Sequence, residues 1–154
     1  MERLPFFQRP LRFQYYNAAL ILIGVNVLVH LLGAIEPRVT LRLALIPGAV
    51  VELNWYWTIL TYMFVHGSWV HLIGNMLGLF FFGVQLERRL GSNEFLLFYL
   101  LSGVAAGALS LVVYVLTGTY NVALVGASGA VLAVLLAFAT YFPTATVLLY
   151  FMLP

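Results

Sequence analysis

The chain has 154 residues, of which 64% are hydrophobic and only 8% charged, and its net charge is +2. Soluble domains carry about 25% charged residues, so this chain cannot cover a globular surface with polar groups. It reads as an integral membrane protein. There is no Cys, which excludes disulfides and thiolate metal sites. All seven positive charges are Arg and all five negative ones Glu. The basic balance falls at loop edges, not in a patch suited to nucleic acid.

In chain order, residues 1–14 form a short basic and aromatic arm with Arg3, Arg9 and Arg12. A first membrane span is expected over 15–35, long enough for a hydrocarbon core of about 30 Å. Glu36 and Pro37 end it. Residues 36–68 combine Arg38, Arg42, Glu52 and the cluster Asn54, Trp55, Tyr56 and Trp57. That is the composition of a headgroup-level loop, with room for a short amphipathic helix. Further spans are expected over 69–86, 94–116 and 127–142, the last one short. Residues 144–154 look like the start of another segment, so the chain reads as one incomplete domain over 1–154. Arginine is concentrated in the amino-terminal arm and at Arg88 and Arg89. The positive-inside rule then places the amino terminus and the 87–94 loop in the cytoplasm, with 36–68 and 117–125 outside.

Polar groups at bilayer depth are costly and face the bundle interior. His71, Gly74, Asn75 and Gly78 share one helical face. Gly74 with Gly78, Gly103 with Gly107, and Gly129 with Ala133 and Ala137 have the spacing of close-packed helix faces. Two readings stand side by side. In one, His71 and Asn75 hydrogen-bond across helices and Ser128 caps the fourth span. In the other, Ser128 sits at a helix amino terminus whose N–H groups, with His71 and Asn75, hold a developing oxyanion. Asn26 and His30, also i and i+4, read as structural. A zinc site from His30, His66 and His71 is poorly supported by spacing, and no cofactor or metal is expected. The spans lack the ionisable residues of a transporter or channel pathway.

Three motifs together resemble the rhomboid family of intramembrane serine proteases. His66, His71 and Asn75 match H-x4-H-x3-N. Gly83, Glu87, Arg89 and Gly91 match G-x3-E-x-R-x-G. Gly126, Ser128 and Gly129 match G-x-S-G. The resemblance implies an all-α polytopic bundle with four helices of a six-helix core present. It implies Ser128 as nucleophile in the turn of Gly126 and Gly129, His71 and Asn75 as oxyanion donors, and His66 as a structural residue near the site's roof. Glu87 and Arg89 would interact at the cytoplasmic edge. Trp57 matches the tryptophan of a loop-anchoring Trp-Arg pair, although Thr58 stands where the arginine would be. The implied substrates are single-pass membrane proteins cut in or near the transmembrane segment, in a bacterial cytoplasmic membrane. The family's dyad histidine lies on a sixth helix, and no His follows Ser128 here. The expectation is therefore a truncated, inactive form. The alternative is a non-catalytic rhomboid-like protein that binds transmembrane segments.

Overall fold

A computed structural model describes residues 13–144. The basic arm with Arg3, Arg9 and Arg12, and the apolar stretch 145–154, lie outside the described residues. The protein is an all-helical membrane bundle. Three helices are long and apolar enough to cross a bilayer: Ala18–Ile35, Trp69–Leu90 and Ser92–Leu116. Their outward positions, among them Leu28, Leu101 and Leu109, are exposed and apolar, as a hydrocarbon solvent requires.

Helix α1 (Ala18–Ile35) stops where Pro37 disfavours helical backbone at Glu36, which turns extended. The same Glu36 then caps α2 (Pro37–Leu43), its carboxylate accepting from Arg38 N, with Pro37 in the first turn. Helix α3 (Pro47–Leu53) repeats the proline start. A short α4 (Thr58–Thr61) runs into a 3₁₀ turn, Tyr62–Phe64. The expected headgroup loop is thus three short helices and a turn. It is pinned to the 117–125 loop by paired bonds between Leu45 and Leu124 (3.1 and 2.8 Å) and by Gly48 N–H to Tyr120 O at 3.0 Å.

The span Trp69–Leu90 comprises α5 (Trp69–Gly78), a π-helical turn (Leu79–Gly83) and α6 (Val84–Leu90). It runs past the expected end at residue 86 and carries Glu87, Arg88 and Arg89 into its last turn. Gly91, at φ 87, is the only residue between it and α7 (Ser92–Leu116). A side chain at Gly91 would be strained and would press on Phe13. Helix α8 (Ser128–Tyr141) has 14 residues and is about 21 Å long, too short to cross a bilayer alone. It packs on α7 and on the π turn.

The small residues serve different partners from those their spacing suggests. Gly103 and Gly107 on α7 receive the side chains of Met63 and Tyr62, and Gly107 also admits the Ile59 carbonyl of the short helix α4, where a Cβ would lie 3.1 Å from that oxygen. A Cβ at Gly107 would lie 2.5 Å from Tyr62 Cε1. Gly129 does bring helices together, since its Cβ would meet Ala106 Cβ at 2.5 Å. Gly78 meets Val131, while Gly74 faces open space.

Glu87 explains why the second span continues. It is fully buried. Its carboxylate accepts from Ala18 N at 2.6 Å and Ala19 N at 2.9 Å, and from the Ser92 hydroxyl. Among the described residues these are its partners; no ion pair with Arg89 forms. The buried anion sits on the positive amino terminus of α1 and satisfies two N–H groups that have no intrahelical acceptor. We expect Glu87→Ala to cost about 3 kcal/mol, because it orphans three buried donors, and Glu87→Gln to cost less. SDS-induced unfolding in mixed micelles measures both. Equal stability of Glu87→Ala and the parent chain would refute the capping role.

Candidate active site

The site is built where α5 begins and α8 begins. Ser68 starts α5 properly: its Oγ accepts from His71 N at 3.2 Å. His71 lies one turn in, and Asn75 one turn further, buried, with Nδ2 donating to the His71 carbonyl at 2.9 Å. That bond is local to α5 and does not cross helices. The imidazole of His71 is met edge-on by that of His66, with ring centroids 5.1 Å apart and planes at 69°.

The turn carrying the serine lies against His71. Gly126 has φ 117, open only to glycine without strain. A Cβ there would stand 2.5 Å from His71 Cε1 and 2.6 Å from Nε2. The imidazole therefore occupies the space that any other residue at 126 would fill. Two motifs far apart in sequence are brought into van der Waals contact by one missing side chain. On its other side the Gly126 N–H donates to the Tyr62 carbonyl at 3.0 Å.

Ala127, not Ser128, is the N-cap of α8, and no side chain caps the helix. Ser128 is the first helical residue and is exposed. Among the described residues its Oγ forms no hydrogen bond, so the capping reading fails. The first intrahelical bond is Val131 N–H to Ala127 O at 2.9 Å. The N–H groups of Ser128, Gly129 and Ala130 are therefore left without intrahelical acceptors, at the positive end of the helix. Hydroxyl, free N–H groups and a nearby imidazole are the components that acyl transfer to serine uses.

His66 is 4% exposed, and among the described residues its ring nitrogens have no well-aligned hydrogen bond, the backbone of Phe64 being the partner within reach. It precedes the membrane span. Burial first, then the neighbouring His71, holds its pKa down to about 4, so it is neutral at physiological pH. His30, His66 and His71 are near neighbours, yet among the described residues no three His, Cys, Asp or Glu side chains are arranged to hold a metal ion.

The remaining expected residues lie elsewhere. Glu87 and Arg89 are at the far end of the Trp69–Leu90 span. Trp57 is in the 36–68 loop, its indole N–H donating to the Arg42 carbonyl at 3.0 Å. Trp57 stacks on Trp55 at 5.6 Å, and the Arg42 guanidinium lies over Trp55 at 5.3 Å. An arginine thus joins this tryptophan cluster from α2, where residue 58 is Thr. Thr58 instead donates to the Trp55 carbonyl at 2.6 Å. Sequence reasoning missed Tyr62. It is 3% exposed, donates through its hydroxyl to Gly103 O at 2.8 Å, and accepts from Gly126. The only sequence hint was the pair of glycines on α7 waiting for something large.

Two outcomes are expected. Gly126→Ala should cost about 2–5 kcal/mol, from left-handed strain plus the clash with His71. In a His71→Ala background the clash disappears and the cost should fall by about half. Equal costs in both backgrounds, read by unfolding in micelles, would mean the contact is not limiting. Second, His66 has a folded pKa near 4 against about 6.5 unfolded. The unfolded chain therefore binds a proton first as pH falls. The stability from neutral His66 is complete above about pH 6.5 and declines towards pH 4, by up to about 1.4 kcal/mol per pH unit. The slope should vanish in His66→Phe; an unchanged slope would refute the assignment.

Comparison with known proteins bears on the chain from residue 54 onward. A family model described as "Rhomboid domain" matches residues 54–154. Among curated relatives, RHOMBOID-like protein 4 of Arabidopsis thaliana is 42% identical over 79 residues, 51% of this chain and 19% of that protein. Presenilin-associated rhomboid-like protein, mitochondrial, of Homo sapiens is 40% identical over 80 residues, 52% of this chain and 21% of the relative. RHOMBOID-like protein 2 of Arabidopsis thaliana is 39% identical over 61 residues, covering 40% and 19%. The chain spans about a fifth of the length of these relatives. With the helical bundle, the serine turn against His71 and a family match over most of its length, the chain belongs to the rhomboid family.

Proposed function

We propose that this chain carries the serine and oxyanion half of an intramembrane serine endopeptidase, acting on single-pass membrane proteins in or near their transmembrane segment. The observation that carries the reading is the contact between the His71 imidazole and Gly126, two residues before Ser128. In the proposed reaction Ser128 Oγ bonds to the carbonyl carbon of the scissile peptide. The carbonyl electrons move to oxygen, where the free N–H groups at the start of α8 receive them, with His71 and Asn75 as further donors. A base takes the hydroxyl proton and returns it to the departing amine, and water then hydrolyses the acyl-enzyme. His30, His66 and His71 are the chain's histidines, and none is assigned as that base. His71 is a donor packed under the turn, and His66 is held neutral in a closed environment.

The arginine distribution supports an amino terminus in the cytoplasm and a serine on the outer side, just inside the membrane. The expectation of a bacterial membrane gains no support, because the relatives include proteins named as mitochondrial. A second reading, a rhomboid-like protein that binds transmembrane segments without cutting them, is favoured by one observation: Ser128 Oγ has no hydrogen-bond partner among the described residues.

The test uses the protein expressed from its natural reading frame, in membranes. A fluorophosphonate probe should label it, and Ser128→Ala should abolish labelling. Labelling that persists in Ser128→Ala overturns the nucleophile assignment. No labelling of the parent protein, with capture of transmembrane segments undiminished by Ser128→Ala, establishes the binding reading.

A further inference from the structure

His30 lies in the carboxyl-terminal half of α1, half-buried, and reaches a residue 36 positions downstream. Its Nδ1 stands 3.1 Å from the carbonyl oxygen of His66. A carbonyl only accepts, so Nδ1 must carry the proton; the Nδ1–H tautomer and the imidazolium both allow it. The same ring lies edge-on to Trp69, with centroids 4.5 Å apart and planes at 78°. One side chain on α1 thus grips the chain on both sides of Gly67 and Ser68, the point where α5 starts. Among the described residues the His66 carbonyl has no other hydrogen bond, so His30 is what orients that peptide. From there the contacts run on without a gap. The His66 ring meets the His71 ring, and the His71 ring fills the space over Gly126.

We propose that His30 is a positioning residue for the serine turn: by holding the His66 carbonyl and Trp69 it sets the start of α5, and so the seat of the His71 imidazole against Gly126. The consequence for catalysis rests on the function proposed above; the consequence for geometry does not. The bond needs a donor at the Nδ1 position and no positive charge. Asn offers an amide N–H at nearly that position, whereas the Gln amide lies one methylene too far. Asn and Gln both remove the ring, so the comparison between them isolates the hydrogen bond from the contact with Trp69.

Three readouts test this in detergent micelles or nanodiscs. In the parent chain, ¹⁵N-histidine spectra should show a proton on His30 Nδ1; an unprotonated Nδ1 would overturn the proposal with no mutation made. The nuclear Overhauser effect between His71 Hε1 and Gly126 Hα should be retained in His30→Asn and lost or strongly reduced in His30→Gln and His30→Leu. Full retention in whichever of the last two folds would overturn it. Finally, the maximal rate of fluorophosphonate labelling at Ser128 should fall about tenfold in His30→Gln, as small displacements of a catalytic donor do. The probe concentration for half-saturation should not change, and His30→Asn should stay within about twofold of the parent. A protein expressed from its natural reading frame that does not label counts against the peptidase reading, and the spectra then decide the positioning role alone.

Discussion

The peptide at Gly126 is held from two directions, and the position of the whole serine turn follows from it. Its N–H is spent on the Tyr62 carbonyl, and its bare Cα face is covered by the His71 imidazole. Helix α8 begins two residues later, so these contacts fix where its free N–H groups point and where Ser128 stands. Tyr62 is itself fixed, since its hydroxyl is bonded to Gly103 O and its ring is packed on Gly107. The serine is therefore referenced to α7 through one tyrosine and to α5 through one histidine. Among the described residues its own hydroxyl takes part in none of this.

The same economy operates at the other end of the Trp69–Leu90 span. There Glu87 supplies acceptors to the amino terminus of α1, and Ser92 joins the carboxylate and also accepts from Tyr16 N at 2.8 Å. In hydrocarbon an unpaired N–H costs several kcal/mol, so a helix end inside the bundle needs a partner from another element. The span provides one at its carboxyl-terminal end and, through His71, a seat for the serine turn at the other. Between them lies the π turn Leu79–Gly83, against which α8 packs. A π turn adds a residue to the helix and resets which face the next turns present. His71 and Asn75 before it and Glu87 after it need not obey one uninterrupted helical register.

How much could be seen beforehand follows from how local each determinant is. Apolar length is local, so the spans were visible, as was the shared face of His71 and Asn75. The end of the second span was not: Glu87 looks like a loop charge until the α1 terminus that neutralises it is placed beside it. The spacing of Gly103 and Gly107 was visible, but its meaning was misjudged. Small residues at i and i+4 admit whatever is nearby, and here the tightest contacts are Tyr62 and Met63 from a short turn, with the Ile59 carbonyl of the short α4 beside them. Gly74 and Gly78 show the same limit, because one meets Val131 and the other faces open space. The relation of Gly126 to His71 was legible only as a pattern of three motifs, since nothing in a G-x-S-G turn names the ring it will receive.

Where the bundle leaves polar groups unsatisfied is itself informative. Four buried side-chain atoms lack a hydrogen bond among the described residues: Asn26 Oδ1, Tyr99 OH and both ring nitrogens of His66. The first two are complementary, an acceptor and a donor on side chains close enough to interact across α1 and α7, so a small adjustment or one water would satisfy both. His66 is no exception, because its ring lies within hydrogen-bonding reach of the Phe64 backbone. It stands next to His71, outside the spans, with its backbone carbonyl taken by His30. The ring is therefore held by its own turn, by α1 and by the imidazole that seats the serine turn, and a buried polar group so placed fixes the geometry of all three.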